Sequence, residues 1–164
     1  MSLDERQKDL SCYRINEADD SLKVAKHCLS EGLYKDSINR SYYAAFYAVK
    51  AALALGTVDF KRHKDVMAYF NKEYVAKDIF PREIGRKLGT LQRIREKSDY
   101  DDFYIASREK AEEQYQTAVM VIKAVKEYLM NNERIVSIRK KFIFLDALFV
   151  FQTFRILKGR CTKR

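Results

Sequence analysis

The chain has very little of what breaks a helix. One proline (Pro81) and five glycines stand in 164 residues, and there is no tryptophan. Proline and glycine are the residues that helix interiors tolerate least. Their scarcity, with abundant Ala, Glu, Lys, Leu and Tyr, points to long helices. Histidine is equally scarce, at two (His27 and His63), and the three cysteines (Cys12, Cys28 and Cys161) have neither metal-ligand spacing nor the pattern of a disulfide framework. A zinc site is therefore not expected, nor any other cofactor, and the cysteine usage reads as cytoplasmic. No apolar run reaches 18 residues, so no transmembrane segment is expected. Asp4, Glu5, Arg6 and Lys8 leave no apolar stretch for a signal peptide.

Positive charge is not scarce, but it is unevenly placed. The net charge is +9 overall. Residues 1–132 hold 23 Lys and Arg against 21 Asp and Glu, whereas residues 133–164 hold 9 against 2. The expected organisation is a nearly neutral helical domain over 1–132 and a basic, Phe-rich extension over 133–164. Within the extension, Phe142 to Phe154 is apolar except for Asp146, Gln152 and Thr153, and basic residues flank it. That run is too short to span a bilayer. An interfacial helix, a strand, an added packing element and a non-native extension all remain open for it.

Periodicity gives four long helices and a short one. Leu10, Ile15, Ala18, Leu22, Ala25 and Leu29 mark the first, over 4–31, with Gly32 at the position where a left-handed residue ends a helix. The second runs from Tyr34 to Leu55. Its Ile38, Tyr42, Ala45, Val49 and Leu53 form one face, and Ala44, Ala48 and Ala51 an adjacent strip open to close helix approach. Tyr43, Tyr47 and Lys50 lie on a third side, near Arg40. A helix apolar or aromatic nearly all round should be central. A short helix follows, from His63 to Tyr74. Pro81 suits the first residue of the next, where its missing N–H costs nothing, and that helix ends near Ser98. Ser107 is a suitable N-cap for the last, which runs to about Met130 with Tyr115, Val119, Ile122, Val125 and Leu129 on its buried face. The fold class expected is all-α, an antiparallel up-and-down four-helix bundle with one short additional helix.

The residues with the most chemistry in them are Arg95-Glu96-Lys97-Ser98-Asp99-Tyr100-Asp101-Asp102. At about 100° per residue, Ile84, Leu88 and Leu91 share a face with Arg95, while Arg82, Arg86, Arg93 and Lys97 take the solvent side. A guanidinium drawn toward the core is costly unless it is paired. Arg95 therefore has either a structural partner, such as a nearby acid or carbonyl, or a ligand. The cluster Lys61-Arg62-His63-Lys64 lies at a helix start, where the dipole disfavours cations, so Asp65 or an anionic ligand should offset it. No catalytic role is expected of His63.

These segments together resemble a known family. Tyr13-Arg14 to Leu29, then Asn39-Arg40-Ser41-Tyr42-Tyr43-Ala44-Ala45-Phe46-Tyr47-Ala48, then His63-Lys64-Asp65-Val66, then Arg95 to Asp102, are similar to a HEPN domain, named for higher-eukaryote and prokaryote nucleotide-binding domains. The resemblance covers about residues 10–130 and is closest to small prokaryotic single-domain members. It implies a homodimer, and it implies the toxin half of a toxin–antitoxin module whose antitoxin is a minimal nucleotidyltransferase. Many members cut RNA without metal, through an arginine followed after four to six residues by a histidine. Arg95 matches that arginine. The histidine position holds Tyr100, and neither His27 nor His63 has an arginine at the required distance before it.

RNA cleavage needs a group that takes the 2′-hydroxyl proton, and histidine suits this near neutral pH. A tyrosine whose ordinary pKa is about 10 is a poor base there. The expected activity is therefore a weak or absent metal-independent ribonuclease, with Arg95 and Tyr100 as its catalytic pair and with RNA or nucleotide binding retained. Arg40, Tyr43, Tyr47 and Asp99 are the expected binding residues. Tyr100 and Tyr104 are the candidate AMP acceptors, since some antitoxins of this kind attach AMP to a tyrosine near the motif. The alternative is a non-catalytic nucleotide-binding or dimerisation module.

Overall fold

The computed structural model describes residues 3–56 and 58–132. Among them are five α-helices and no strand, in keeping with an all-α chain. They are α1 (Leu3–Ser30), α2 (Tyr34–Ala54), α3 (His63–Phe70) and α4 (Arg82–Tyr100), followed by α5 over residues 108–132. A single π turn, Asn71–Val75, extends α3. None of the described helices is long and apolar enough to cross a membrane. The chain divides into two compact units, 1–127 and 128–164. The expectations for 133–164, its basic Phe-rich run included, lie outside the described residues.

Several helix ends have a local cause. α1 stops where Gly32 takes φ +77°, the Leu33 N–H reaches Cys28 O at 2.8 Å and the Gly32 N–H reaches Leu29 O at 3.4 Å. This is the Schellman pattern, and it favours glycine because a Cβ is strained at positive φ. Nothing lies within 4 Å of a Cβ built there, so conformational strain alone sets the cost of a side chain. Gly32→Ala is expected to lower stability by about 1 kcal/mol, with Gly32→Asn costing less. Thermal unfolding checks this, and an unchanged midpoint for the alanine variant would refute it.

Pro81 stands at the cap of α4, with ψ 142°, one residue outside the helix in which the spacing placed it. At the far end α4 continues two residues past Ser98, so Asp99 and Tyr100 are helical. The break begins at Asp101, whose carboxylate accepts the Phe103 N–H at 3.0 Å. Ser107 caps α5 as expected, its Oγ accepting the Lys110 N–H at 3.2 Å.

α2 is the central element. Ile38, Tyr42, Ala45, Val49 and Leu53 are buried, and so is the strip Ala44, Ala48 and Ala51. α1 packs along it, and two buried serines join the pair. Ser11 Oγ donates to Ala51 O and Ser37 Oγ to Ala25 O, both at 2.9 Å. Small groups therefore fill the inner line of α1, namely Ser11, Ala18, Ala25 and Cys28, together with Arg14. Of the residues expected on that face, Leu10 is exposed and Ile15, Leu22 and Leu29 are only half-buried. The physical reason is that interhelical packing depends on the side chains at the contact, and with small groups filling this seam the bulky side chains lie at its edges.

α5 is rotated in the same sense. Ala111, Gln114, Ala118, Val121, Ile122 and Val125 are buried, while Tyr115, Val119 and Leu129 are half-buried. Near its start Ala111 meets Ile38 of α2 and Ile94 of α4 in one apolar cluster.

Aromatic rings fix the short helix. Phe70 and Tyr74 stack with centroids 5.4 Å apart, and Phe80 closes on Phe70 at 5.0 Å. Gly85 lets α4 come in against the π turn. A Cβ there would lie 2.5 Å from Asn71 Oδ1 and 3.3 Å from a Val75 methyl.

Candidate functional site

The buried line of α4 is Ile84, Leu88, Leu91, Ile94 and Ser98. Arg95 borders it, with 17% of its side chain exposed. Its Nε is 2.8 Å from Asp99 Oδ2, one turn on, yet this buried N–H is not aimed along a hydrogen bond. Its Nη2 donates to Tyr43 Oη at 3.3 Å. The guanidinium carbon also stands 5.6 Å from the Tyr43 ring centre and 5.7 Å from those of Tyr42 and Tyr100. Such cation–π contacts stabilise a charge that has partly left water. Burial opposes the charge, but Asp99, Tyr43 and Tyr100 outweigh it and hold the guanidinium pKa above its ordinary value. Five N–H donors thus meet two phenols, Tyr43 and Tyr100, and one carboxylate, and Arg95 keeps capacity to bind an anion.

Asp99 is itself tethered. Asn39 Nδ2 donates to its two carboxylate oxygens at 3.0 and 3.3 Å. This clamp joins α2 to α4 and fixes the acid that faces Arg95. Further along the same side of α2 come Tyr43, Tyr47 and Lys50, all half-buried, with the first two rings 6.3 Å apart.

His63, of which the sequence led us to expect no catalytic role, also reaches this cluster. It opens α3, and its ring stacks on Phe46 at 4.0 Å and meets the Tyr43 ring edge-on at 5.7 Å. Its Nδ1 is 3.0 Å from Tyr42 Oη. Burial pushes the Tyr42 phenol up to about 12, so it stays protonated at any physiological pH. The same burial lowers the His63 pKa, and the charges of Arg95 and Lys50 lower it further. At neutral pH the imidazole is therefore uncharged. Arg95 and His63 contact the same two tyrosines from different helices. No spacing rule links residues that lie 32 positions apart in the chain. The signals in the sequence were the place of His63 in one of the segments that carry the resemblance and the crowd of rings on α2, neither of which says that the two meet.

A second ionic cluster supports this arrangement. Arg14, buried on α1, donates to Lys50 O at 3.1 Å and to Asp59 Oδ2 at 2.8 Å. Lys50 Nζ approaches the other Asp59 oxygen at 3.2 Å. A buried arginine needs such partners. These tie α1, the last turns of α2 and the connection into α3 together, just upstream of His63. Burial alone would raise the Asp59 pKa, but hydrogen bonds from Lys50 and Arg14 turn the shift downward. In the basic cluster at the start of α3, Arg62 pairs with Asp65 at 2.7 Å, which is the offset expected there.

Of the residues singled out from sequence, Arg95, Asp99, Tyr43 and Tyr100 come together, and Tyr47 stands beside Tyr43. Tyr100 offers a ring face to Arg95 but is itself 76% exposed. Tyr104 is half-buried beneath Lys97, whose Nζ is 5.8 Å from its ring centre. Arg40 is exposed and makes none of the cluster's contacts.

Comparison with known proteins bears on the family and the fold. The family model for the HEPN domain matches residues 12–128. A Methanocaldococcus jannaschii protein named as a candidate toxin is 26% identical over 71% of this chain and 80% of its own length. A Thermotoga maritima UPF0332 protein is 26% identical over 80% of this chain and 99% of its own. The crystal structure of an archaeal HEPN homologue superposes with a TM-score of 0.58 at 21% identity, covering 71% of this chain and 95% of that one. With its helices, its Asn39–Ala48 segment and the family match across most of its length, the chain belongs to the HEPN domain family.

Proposed function

We propose that this protein is the HEPN component of a toxin–antitoxin module and that it binds RNA at the Arg95 cluster. The observation that carries the reading is the mostly buried Arg95 guanidinium, which is ringed by Tyr42, Tyr43 and Tyr100 and countered by a single carboxylate. Guanidinium donors suit phosphate oxygens. Tyr43 and Tyr47 supply faces on which unpaired bases stack. The names of the toxin-like relatives support the setting. In this reading the helices form an antiparallel four-helix bundle with α3 as the insert, and two copies pair so that their Arg95 sites meet.

The partner antitoxin is a minimal nucleotidyltransferase, and Tyr100 is its AMP acceptor, because its exposure far exceeds that of Tyr104. A second reading, a module that works only by association, is favoured by Phe103 and Ile105, which are 93% and 90% exposed beside the site. Fluorescence anisotropy with a labelled single-stranded RNA of about 20 nucleotides separates the two. RNA binding predicts saturable binding that weakens linearly in log salt. No binding at low salt would refute it in favour of the association module.

A further inference from the structure

We propose that His63 supplies, from a separate helix, the proton-transfer group for cleavage of an RNA phosphodiester held at Arg95. This rests on the RNA-binding reading and goes beyond it, because the position that follows the arginine in sequence holds Tyr100. The geometry brings an imidazole to the site by another route. His63 is stacked on Phe46, set edge-on to Tyr43 and joined through Nδ1 to Tyr42. Arg95 faces Tyr42 and Tyr43 from α4. The ring is thus oriented by three α2 side chains. A general base needs such a fixed position first and a suitable pKa second.

Nδ1 is occupied by Tyr42, which leaves Nε2 for substrate. The competent tautomer carries its proton on Nδ1, where the Tyr42 oxygen accepts it. His63 Nε2 then takes the proton of a ribose 2′-hydroxyl as the 2′-oxygen bonds to phosphorus. The bond from phosphorus to the 5′-oxygen breaks, and that oxygen leaves with a proton from solvent. The products are a 2′,3′-cyclic phosphate end and a 5′-hydroxyl end. The imidazolium returns its proton to solvent, and no metal or oxidant enters the balance. Arg95 offsets the charge gathering on the phosphoryl oxygens.

His63 is faced from α2 by Tyr42, Tyr43 and Lys50 and from α4 by Arg95. Burial and these cations lower its pKa from the ordinary histidine value. The acid limb of cleavage therefore lies at lower pH than an ordinary histidine would give, and the rate stays level through neutrality.

The test uses the full chain, a labelled single-stranded RNA, its 2′-deoxy counterpart and EDTA. Variants are His63→Gln, His63→Gly and Arg95→Ala, each checked for helicity by circular dichroism. The expected result is slow RNA cleavage with cyclic phosphate ends and an intact DNA strand. His63→Gln should lose about 100-fold or more of the rate, in the range for general acid–base groups, while RNA affinity changes little. Its acid limb should vanish, and added imidazole should restore cleavage to His63→Gly, which a structural role alone would not allow. Cleavage lost in Arg95→Ala but kept in His63→Gln would overturn the role of His63 and leave the RNA site standing. Binding without any cleavage by the wild type would do the same. Neither binding nor cleavage would overturn both.

Discussion

Arg95→Ala is expected to weaken RNA binding by about ten- to a hundred-fold, the range for losing charge-assisted hydrogen bonds of about 1.5–3 kcal/mol. It should also flatten the salt dependence by about one unit of slope. The loss is specific because Arg95 joins three interactions that no neighbour duplicates. It carries the charge, it offers donors beyond those used by Tyr43 and Asp99, and it lies against three rings. Arg95→Lys separates these contributions. It retains the charge but loses the planar fork, so its affinity should fall between wild type and alanine.

The folded state should tolerate the alanine change. Asp99 keeps its hydrogen bonds from Asn39 and sits at the surface, where a lost ion pair costs little. Anisotropy titrations at two salt concentrations, with thermal melts alongside, distinguish binding from stability. Unchanged affinity in Arg95→Ala would place the RNA elsewhere on the surface. A melt lowered by many degrees would mark Arg95 as chiefly structural.

Much of this was legible in the residues. Helix starts and stops follow from single side chains with strong local preferences, such as Gly32 and Ser107. The α2 core face followed from spacing alone, since Ile38, Tyr42, Ala45, Val49 and Leu53 all turned inward. Arg95 stood out because its helix placed a cation beside an apolar line. The faces of α1 and α5 were less legible, for a common reason. Hydrophobic periodicity locates large side chains, whereas α1 buries Ser11, Arg14, Ala18, Ala25 and Cys28, and the first half of α5 buries Ala111, Gln114 and Ala118. Only further along α5 do large side chains mark the buried line, where Ile122 and Val125 turn inward as their spacing predicts.

The placement of His63 beside the Arg95 cluster and the pairing of Arg14 and Lys50 with Asp59 were illegible because they are tertiary. Each joins segments whose separation in sequence carries no periodic signal. Arg40 misled in the opposite direction. It lies within the Asn39–Ala48 segment that carries the resemblance, yet it points to solvent while Asn39 beside it holds Asp99.

The largest loss of stability is expected from Phe70→Ala. Phe70 is fully buried at the end of α3, with Tyr74 stacked on one side and Phe80 against it. Removing a buried phenyl ring costs about 3–5 kcal/mol through lost transfer energy and the cavity left behind. In a chain of this size that lowers the melting temperature by about 10 °C. The cavity should not collapse easily, because α4 already lies against the π turn at Gly85. Calorimetry or circular dichroism measures the shift, and a fall of under about 2 °C would mean that the aromatic cluster is not what anchors α3. Phe70→Leu keeps much of the volume and should lose well under half as much. The consequence for the site is directional. α3 carries His63 at its first residue, whereas Arg95 and Asp99 belong to α4 and Tyr43 to α2. Below its melting temperature, Phe70→Ala should therefore keep most of its RNA affinity and lose a larger share of cleavage. Equal losses in both would show that α3 supports the whole site and not His63 alone.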